Sequence, residues 1–294
     1  MITYQSLYQE AIETLRESGN PDAAFDARCL MEKAFGFDRT VLSLHRDHVP
    51  EENKERYFRR LFRQRAEGEP LQYLIGIWGF LDESFQIGPG VLIPRPETEL
   101  LALTTLQRLE SWEHPVVFDL CAGSGCLGLS IAKRRPDAEV FLLEKSEAAF
   151  AYLRRNADRI APANTHLQLG DLMDGFQSFD FPAPQVIVSN PPYIRSAEIS
   201  GLQREVRHEP RMALDGGEDG LLFYRVLAER WVPSLSEGGM IAVECGEGQA
   251  DEISAIFQKE GLHTCSYLDY GEIDRIVTGG RPPVQLDENL HFIC

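Results

Sequence analysis

Apolar positions in the first seventy residues recur at the spacing of amphipathic helices. Over residues 4–18 one face carries Tyr4, Leu7, Tyr8, Ala11, Ile12 and Leu15. Asn20 followed by Pro21 predicts the cap and first turn of a second helix. Similar patterns predict helices over 38–46 and 50–67. We therefore expect a small helical bundle, and nothing in this region resembles catalytic chemistry.

The pattern changes over residues 76–91, where short apolar stretches are separated by acidic residues and glycine. Such spacing is typical of a β-hairpin. We therefore predict an N-terminal helical domain over residues 1–75, a hairpin linker over 76–92 and a second domain over 93–294.

Beyond the hairpin, strand-like runs alternate with helical patterns. Strands are predicted at Val116–Leu120, Val140–Leu143, Leu167–Leu169, Gln185–Ser189, Met240–Glu244, His263–Leu268 and Arg275–Thr278. Helices are predicted at 97–110, 126–134, 146–160, 219–235 and 249–260. This alternation indicates an α/β fold, a doubly wound, Rossmann-like sheet of seven strands with helices on both faces. Ligands of such sheets bind at the carboxyl ends of the strands.

A glycine-rich turn follows the first of these strands. Gly123, Gly125 and Gly128 form a GxGxxG string that opens a helix, and Glu144 ends the next strand. Glycine lets the backbone approach a ligand closely, and a carboxylate accepts hydrogen bonds from ribose hydroxyls. Taken alone, this pattern fits a nicotinamide dinucleotide as well as S-adenosylmethionine.

Two further acids favour S-adenosylmethionine. Asp119 lies at the end of the strand, where its charge opposes a pyrophosphate but attracts the ammonium of a methionine group. Asp171 follows the third strand, in a position to accept a hydrogen bond from an adenine amino group. A carboxylate at 119 that only caps backbone amides is the structural alternative.

The run Asn190-Pro191-Pro192-Tyr193 follows the fourth strand. Two prolines stiffen the backbone and remove amide donors, so their carbonyls and the asparagine oxygen remain as acceptors. Tyr193 offers a face for stacking. This loop is suited to hold an NH2 group, either an amide or an exocyclic amine, so we predict that it binds the acceptor and that Asn190, Pro191 and Tyr193 have catalytic roles.

Net charge and composition limit the classes of partner that we expect this protein to bind. The chain carries a formal charge of −17, which disfavours nucleic acid because such binding depends on phosphate neutralisation. The basic stretch Lys54–Arg65 is a local exception, interpreted as a solvated helix face or a docking surface. No apolar run is long enough for a membrane span, the N-terminus does not resemble a targeting signal, and the cysteines, Cys294 included, show no CxxC spacing. We expect a cytoplasmic protein without a metal.

Several motifs together resemble the release factor glutamine N5-methyltransferases, the HemK-type family, over almost the whole chain. They are LQYLIG (71–76), VLIPRPETE (91–99), DLCAGSGC (119–126), VSNPPYI (188–194), EPRMALDGGEDGL (209–221) and DRIVTGGR (274–281). The resemblance implies a class I S-adenosylmethionine-dependent methyltransferase, yielding S-adenosylhomocysteine, preceded by a helical domain that engages the substrate. It also implies that the acceptor is the glutamine of a Gly-Gly-Gln tip in bacterial class I peptide chain release factors.

The resemblance also assigns residues to the cofactor and the acceptor. The methionine part would lie against the loop Cys121, Ala122, Gly123, Ser124 and Gly125. Glu144 would hold the ribose, Leu172 would line the adenine pocket beside Asp171, and the loop from Asn190 to Tyr193 would hold the glutamine amide. Phe80, Arg95 and Glu97 fall in stretches that could close over the site.

Two positions depart from the family pattern, and three other interpretations remain open. Glu144 stands where Asp is more common, and Leu172 stands where some relatives have an aromatic residue. The same Asn190 to Tyr193 loop would suit an N6-adenine methyltransferase acting on nucleic acid. A nicotinamide oxidoreductase rests only on the glycine string and Glu144, and an inactive cofactor-binding scaffold is opposed by the intact loop.

Overall fold

The computed structural model describes residues 2–160 and 163–282, so Cys294 and the end of the predicted second domain lie outside the described residues. The chain forms two compact units. The first contains the chain up to Trp78 together with Ile87–Pro89 and Gln203–His208. Within the described residues, the second contains Gly79–Gln86, Gly90–Leu202 and residues 209–282.

The first unit is helical, as predicted. Its helices are α1 (Tyr4–Glu17), α2 (Ala23–Phe35), α3 (Arg39–His45), α4 (Glu52–Ala66) and the short α5 (Leu71–Ile75), which the sequence patterns did not predict. The core that they share includes Leu7, Leu30 and Phe58, which are fully buried. These positions come from the apolar faces of three helices, so packing of amphipathic stripes accounts for the unit.

The second helix begins later than predicted. Its N-cap is Asp22, not Asn20. The Asn20 side chain instead accepts a hydrogen bond from the Asp22 amide at 2.8 Å and donates to Asp26 at 2.6 Å. The predicted cap was therefore wrong by two residues, because Asn20 stabilises the turn before the helix.

Acidic neighbours pair with much of the basic stretch Lys54–Arg65. Arg65 contacts Asp26 at 2.6 Å and Glu205 at 2.8 Å, and it is largely buried. Arg59 pairs with Glu10 and Glu55. The same helix leaves Arg60 and Arg63 exposed. The positive potential of this stretch is thus smaller than its composition suggests.

The second unit has a two-stranded hairpin, a seven-stranded sheet and flanking helices. The hairpin is β1 (Ile77–Phe80) with β2 (Glu83–Gln86). The sheet contains β3 (Val116–Leu120), β4 (Glu139–Glu144), β5 (Thr165–Leu169), β6 (Val186–Ser189), β7 (Met240–Glu244), β8 (His263–Leu268) and β9 (Asp274–Gly280). The helices are α6 (Pro96–Leu109), α7 (Cys126–Arg134), α8 (Glu147–Ile160), α9 (Leu222–Val226) and α10 (Ala250–Lys259).

The strand order is β5-β4-β3-β6-β7-β9-β8. β5, β4, β3, β6 and β7 are parallel, whereas β9 runs antiparallel to both of its neighbours. The central strands β6 and β7 are buried at every position, as expected for parallel strands covered on both faces. The predicted doubly wound fold is confirmed, and the strand order reverses between β3 and β6, where such sheets bind ligands.

One predicted helix is not continuous. Residues 219–235 were predicted as one helix, but the structure has α9, then a π-helical turn at Leu227–Trp231 and a 3-10 turn at Val232–Ser234. Pro233 lacks the amide hydrogen that an α-helix would need. The Trp231 ring is fully buried and its Nε1 donates to the Leu172 carbonyl at 2.8 Å, so tertiary packing accompanies the irregularity.

Neither a membrane span nor a metal cluster is found in residues 2–160 and 163–282. None of the helices there combines the length and the apolar character that crossing a bilayer requires. No group of three or more histidine, cysteine, aspartate or glutamate side chains in this part of the chain has the arrangement to hold a metal ion.

Candidate active site

A cavity of about 450 Å³ lies in the second unit, at the carboxyl ends of the central strands. This volume is in the range of small-molecule sites. The predicted site residues that line it are Asp119, Cys121, Ala122, Gly123, Ser124, Glu144, Asp171, Leu172, Asn190 and Pro192. The other predicted residues, Gly125, Pro191 and Tyr193, are not among the lining residues. Phe80, Arg95 and Glu97 are not among the lining residues either.

The glycine-rich turn closes tightly after β3. Cys121, Gly123 and Gly125 have φ angles of 71°, 57° and 82°, in the left-handed region. A Cβ on Gly125 would lie 2.5 Å from a Leu153 methyl, and one on Gly128 would lie 2.7 Å from the Asp119 carboxylate. Glycine is therefore required at 125 by both conformation and space, and at 128 by space.

Asp119 presents an unpaired oxygen beside the cavity. Its Oδ2 accepts a hydrogen bond from the Gly128 amide at 2.8 Å. Its Oδ1 is buried and has no partner among the described residues. Burial raises the pKa of Asp119 to about 7, with a smaller contribution from Glu144, although the Gly128 hydrogen bond opposes the shift. An orphaned carboxylate oxygen next to a cavity fits a cationic group such as an ammonium.

Glu144 ties two backbone segments together at the end of β4. Its oxygens accept from the Gly123 amide at 2.7 Å and the Ser146 amide at 2.6 Å. Burial raises the pKa of Glu144, whereas these backbone hydrogen bonds lower it. The Lys145 amide also lowers this pKa as a backbone donor. A carboxylate has about four acceptor positions, so a hydroxyl donor from a ligand can still be accommodated.

Asp171 and Leu172 form another part of the wall. Asp171 accepts from the Met173 amide at 2.9 Å and pairs with Lys145 at 2.6 Å. Leu172 is only 3% exposed, because it belongs to the core that includes Trp231. Both Asp171 oxygens therefore already have a protein donor, and Leu172 adds an apolar surface without an aromatic face.

The loop from Asn190 to Tyr193 is held from behind by side chains. Asn190 Nδ2 donates to the Thr98 hydroxyl at 3.0 Å, while no donor in the described part of the chain reaches its Oδ1. The Tyr193 carbonyl accepts from Gln249 at 3.0 Å. The Tyr193 hydroxyl is 3.4 Å from Glu244. A Cβ on Gly246 would lie 3.2 Å from Cδ2 of the Tyr193 ring, so the ring lies close to Gly246. The ring thus packs toward the strand β7.

Two glycines of the 209–221 motif allow a close approach to this loop. A Cβ on Gly216 would lie 2.8 Å from the Pro192 carbonyl, and one on Gly220 would lie 2.5 Å from the Tyr193 carbonyl. Ile194 also donates to the Leu214 carbonyl at 2.9 Å. Larger side chains at these glycines would push the loop away from its position.

Three polar residues were not predicted from the sequence: Thr98, which lines the cavity, and Glu244 and Glu209, which bond to lining residues. Thr98 and Glu244 are buried and hydrogen-bonded to each other at 2.6 Å. Glu209 is buried, accepts from the Ile93 amide at 3.0 Å and pairs with Arg95. Glu244 had a detectable signal, since it ends an apolar strand as Glu144 does. Thr98 had none, because its partners are distant in sequence.

Two family profiles match the chain. The PrmC N-terminal domain matches residues 6–76, and the methyltransferase small domain matches residues 97–222. The first covers the helical region, and the second covers the strands and loops that carry most of the cavity.

Relatives match the chain over most of its length. A release factor glutamine methyltransferase from Geobacter sulfurreducens is 40% identical and covers 91% of this chain and 92% of the relative. One from Burkholderia pseudomallei is 38% identical, covering 93% and 96%. One from Caulobacter vibrioides is 35% identical, covering 97% and 98%.

Proposed function

The chain belongs to the release factor glutamine methyltransferase family, and from this premise we propose that it methylates the side-chain amide nitrogen of a release factor glutamine. The methyl donor is S-adenosylmethionine, and the acceptor is the Gly-Gly-Gln motif of bacterial class I peptide chain release factors. The proposal is carried by one pairing in the cavity. The Asp119 carboxylate, with one unpaired oxygen, and Asn190, whose Oδ1 has no donor among the described residues, both line the cavity.

The residues at the ends of β3, β4 and β5 fit the cofactor. Asp119 would hold the ammonium of its methionine part, and Glu144 would accept from the ribose hydroxyls. Leu172 and Asp171 would line the adenine part. When bound, S-adenosylmethionine supplies a methyl group that is already activated by a positively charged sulfur.

The Asn190 to Tyr193 loop would hold the acceptor amide. An amide nitrogen is a weak nucleophile, because its lone pair is delocalised into the carbonyl. Asn190 Oδ1 and the Pro191 carbonyl are acceptors that would take the two N–H groups and fix the orientation of the nitrogen. The contribution of these residues is positioning and charge arrangement, with the proton lost as the new bond forms or afterwards.

Mass spectrometry of the acceptor tests the function directly. A purified release factor is incubated with the protein and S-adenosylmethionine, then digested and sequenced. We expect a mass increase of one methyl group on the glutamine of the Gly-Gly-Gln motif and none when that glutamine is replaced by alanine. An unmodified glutamine under conditions of proven cofactor binding would contradict the proposal.

The helical unit would supply docking for the rest of the release factor. Its exposed basic side chains, Arg60 and Arg63, are suited to an acidic protein surface. Replacing both with alanine is expected to raise KM for the whole release factor and to leave KM for a short Gly-Gly-Gln peptide unchanged. An equal change for both acceptors would place docking elsewhere.

An N6-adenine methyltransferase acting on nucleic acid is not favoured. The relatives are named for a protein glutamine, and acidic partners neutralise much of the basic stretch. Transfer of labelled methyl groups to DNA or RNA, compared with a release factor in the same assay, separates the two activities.

A further inference from the structure

Glu244 is a buried acid close to the Asn190 to Tyr193 loop, and the proposed reaction gives it no role. Glu244 is 1% exposed and ends β7, the neighbour of the strand that leads into Asn190. It is not among the described residues that line the cavity, whereas Thr98 and Asn190 are. A hydrogen-bonding influence of Glu244 on the acceptor would therefore pass through another side chain.

The Thr98 hydroxyl provides that connection. It donates to Glu244 Oε2 at 2.6 Å, and Asn190 Nδ2 lies 3.0 Å from the same hydroxyl oxygen. A hydroxyl has a single proton, so when Glu244 is ionised and accepts that proton, Thr98 has only lone pairs left for Asn190. The end of the Asn190 amide that faces Thr98 must then be the NH2 group.

This chain of hydrogen bonds leaves the Asn190 oxygen for the cavity. We propose that Glu244, acting through the Thr98 hydroxyl, fixes which end of the Asn190 amide faces the acceptor. Glu244 is thus a positioning residue for methyl transfer. The inference rests on the proposed function, because a glutamine NH2 group needs an acceptor oxygen at this point, and a reversed Asn190 would oppose one NH2 group to another.

The first experiment compares Thr98→Val with Thr98→Ser. Valine keeps the shape but removes the hydroxyl, whereas serine keeps the hydroxyl. With Glu244 ionised, at about pH 8 or above, we expect kcat on the release factor to fall about ten- to thirtyfold in Thr98→Val and less than about threefold in Thr98→Ser. The Kd for S-adenosylmethionine should stay within about twofold in both. Equal kcat values in the two variants would overturn the proposal.

A second experiment tests the direction of the hydrogen bonds. In Asn190→Asp, the new carboxylate would face a Thr98 hydroxyl whose proton is committed to Glu244, so activity should fall by at least about a hundredfold. Adding Glu244→Gln supplies an NH2 donor to Thr98 and frees the hydroxyl proton for the carboxylate introduced at position 190. We expect the double variant to be at least about tenfold more active than Asn190→Asp alone. If the activity of the double variant does not recover, Glu244 has no part in orienting Asn190.

A third readout does not depend on turnover. In the cofactor-free protein, the Asn190 side-chain NH2 should give a nitrogen-labelled NMR signal whose hydrogens exchange slowly with solvent, at least about tenfold more slowly than in Thr98→Val. Similar exchange in wild type and Thr98→Val would contradict the hydrogen bond. This result is independent of the acceptor, so a wild-type protein that fails to methylate a release factor would refute the proposed function alone.

Discussion

The two halves of the cavity, on either side of the strand-order reversal between β3 and β6, are built in different ways. On the β3–β4 side, the carboxylates of Asp119 and Glu144 accept hydrogen bonds from the backbone amides of Gly128, Gly123 and Ser146. On the β6–β7 side, side chains bind one another, as in the Asn190, Thr98 and Glu244 chain. The first half is held by hydrogen bonds to the main chain, whereas the second half is held by hydrogen bonds between side chains.

This difference predicts separable effects on the two ligands. A fixed backbone frame suits a cofactor that is the same molecule whatever the acceptor. A side-chain network can be adapted to the acceptor by a few substitutions, which is consistent with one loop type serving amides and exocyclic amines. Variants on the β6–β7 side should therefore change turnover, and variants on the β3–β4 side should change cofactor affinity.

The largest effect is expected from Asn190→Ala. The variant loses the oxygen proposed to accept from the glutamine amide, so we expect kcat to fall about a hundredfold. The Kd for S-adenosylmethionine, measured by calorimetry, should change less than about threefold. Wild-type turnover would remove the role of the loop, and a matching loss of cofactor affinity would erase the distinction between the two halves.

The next effect is expected from Asp119→Asn. Asparagine can still accept from the Gly128 amide, but it lacks the charge that would attract an ammonium. We expect the Kd for S-adenosylmethionine to rise about ten- to a hundredfold, and kcat at saturation to stay near wild type. An unchanged Kd would show that Asp119 only caps the helix.

Cofactor affinity should also depend on pH. The pKa of Asp119 is raised to about 7 by burial, so the cofactor-free protein loses this negative charge as pH falls through 7. We expect Kd to rise about tenfold between about pH 8 and pH 6. The Asp119→Asn variant serves as the control, and a slope that persists in it would point to another group.

Stability should depend on pH through Glu244. Burial raises the pKa of Glu244 to about 7, against the Thr98 and Tyr193 hydrogen bonds and the Arg275 charge that lower it, and Glu97 adds to the rise. A carboxyl group whose pKa is higher in the folded than in the unfolded protein stabilises the fold. This stabilisation is fully present below the pKa of the unfolded protein and is lost as pH rises through 7. The free energy of unfolding should thus decline between about pH 4.5 and 7. Glu244→Gln is expected to reduce that decline by about 1–2 kcal/mol.

Thermal or urea unfolding across this pH range measures the effect in the cofactor-free protein. Wild type and Glu244→Gln both retain a polar side chain beside Thr98, so gross repacking is avoided. Parallel pH profiles for the two proteins would show that Glu244 does not titrate in this range.

The smallest effect is expected from Tyr193→Phe. The hydroxyl is 3.4 Å from Glu244, a long hydrogen bond, and the ring is not part of the cavity lining. We expect kcat and both binding constants to stay within about threefold of wild type. Because phenylalanine keeps the ring, a larger loss of turnover would assign a role to the hydroxyl and its contact with Glu244 rather than to stacking.

The sequence predicted the backbone-built half more completely than the other. GxGxxG and the acids that end β3 and β4 lie within 26 residues of one another, counted from Asp119 to Glu144, so their joint role follows from strand and helix periodicity. The Asn190 loop was also predicted as a strand-end feature. Its supporting residues were not, since Thr98 and Glu244 are far apart in the chain.

The fold class, most of its strands and the loops that surround the cavity are predictable from the amino-acid sequence. These features depend on local patterns, such as apolar runs, glycine turns and strand-end acids. Only the tertiary structure decided the inward packing of Tyr193, the broken helix after α9, and the Thr98 link between Asn190 and Glu244. Hydrogen bonds between buried side chains depend on distances across the sheet, and local sequence patterns carry no measure of those distances.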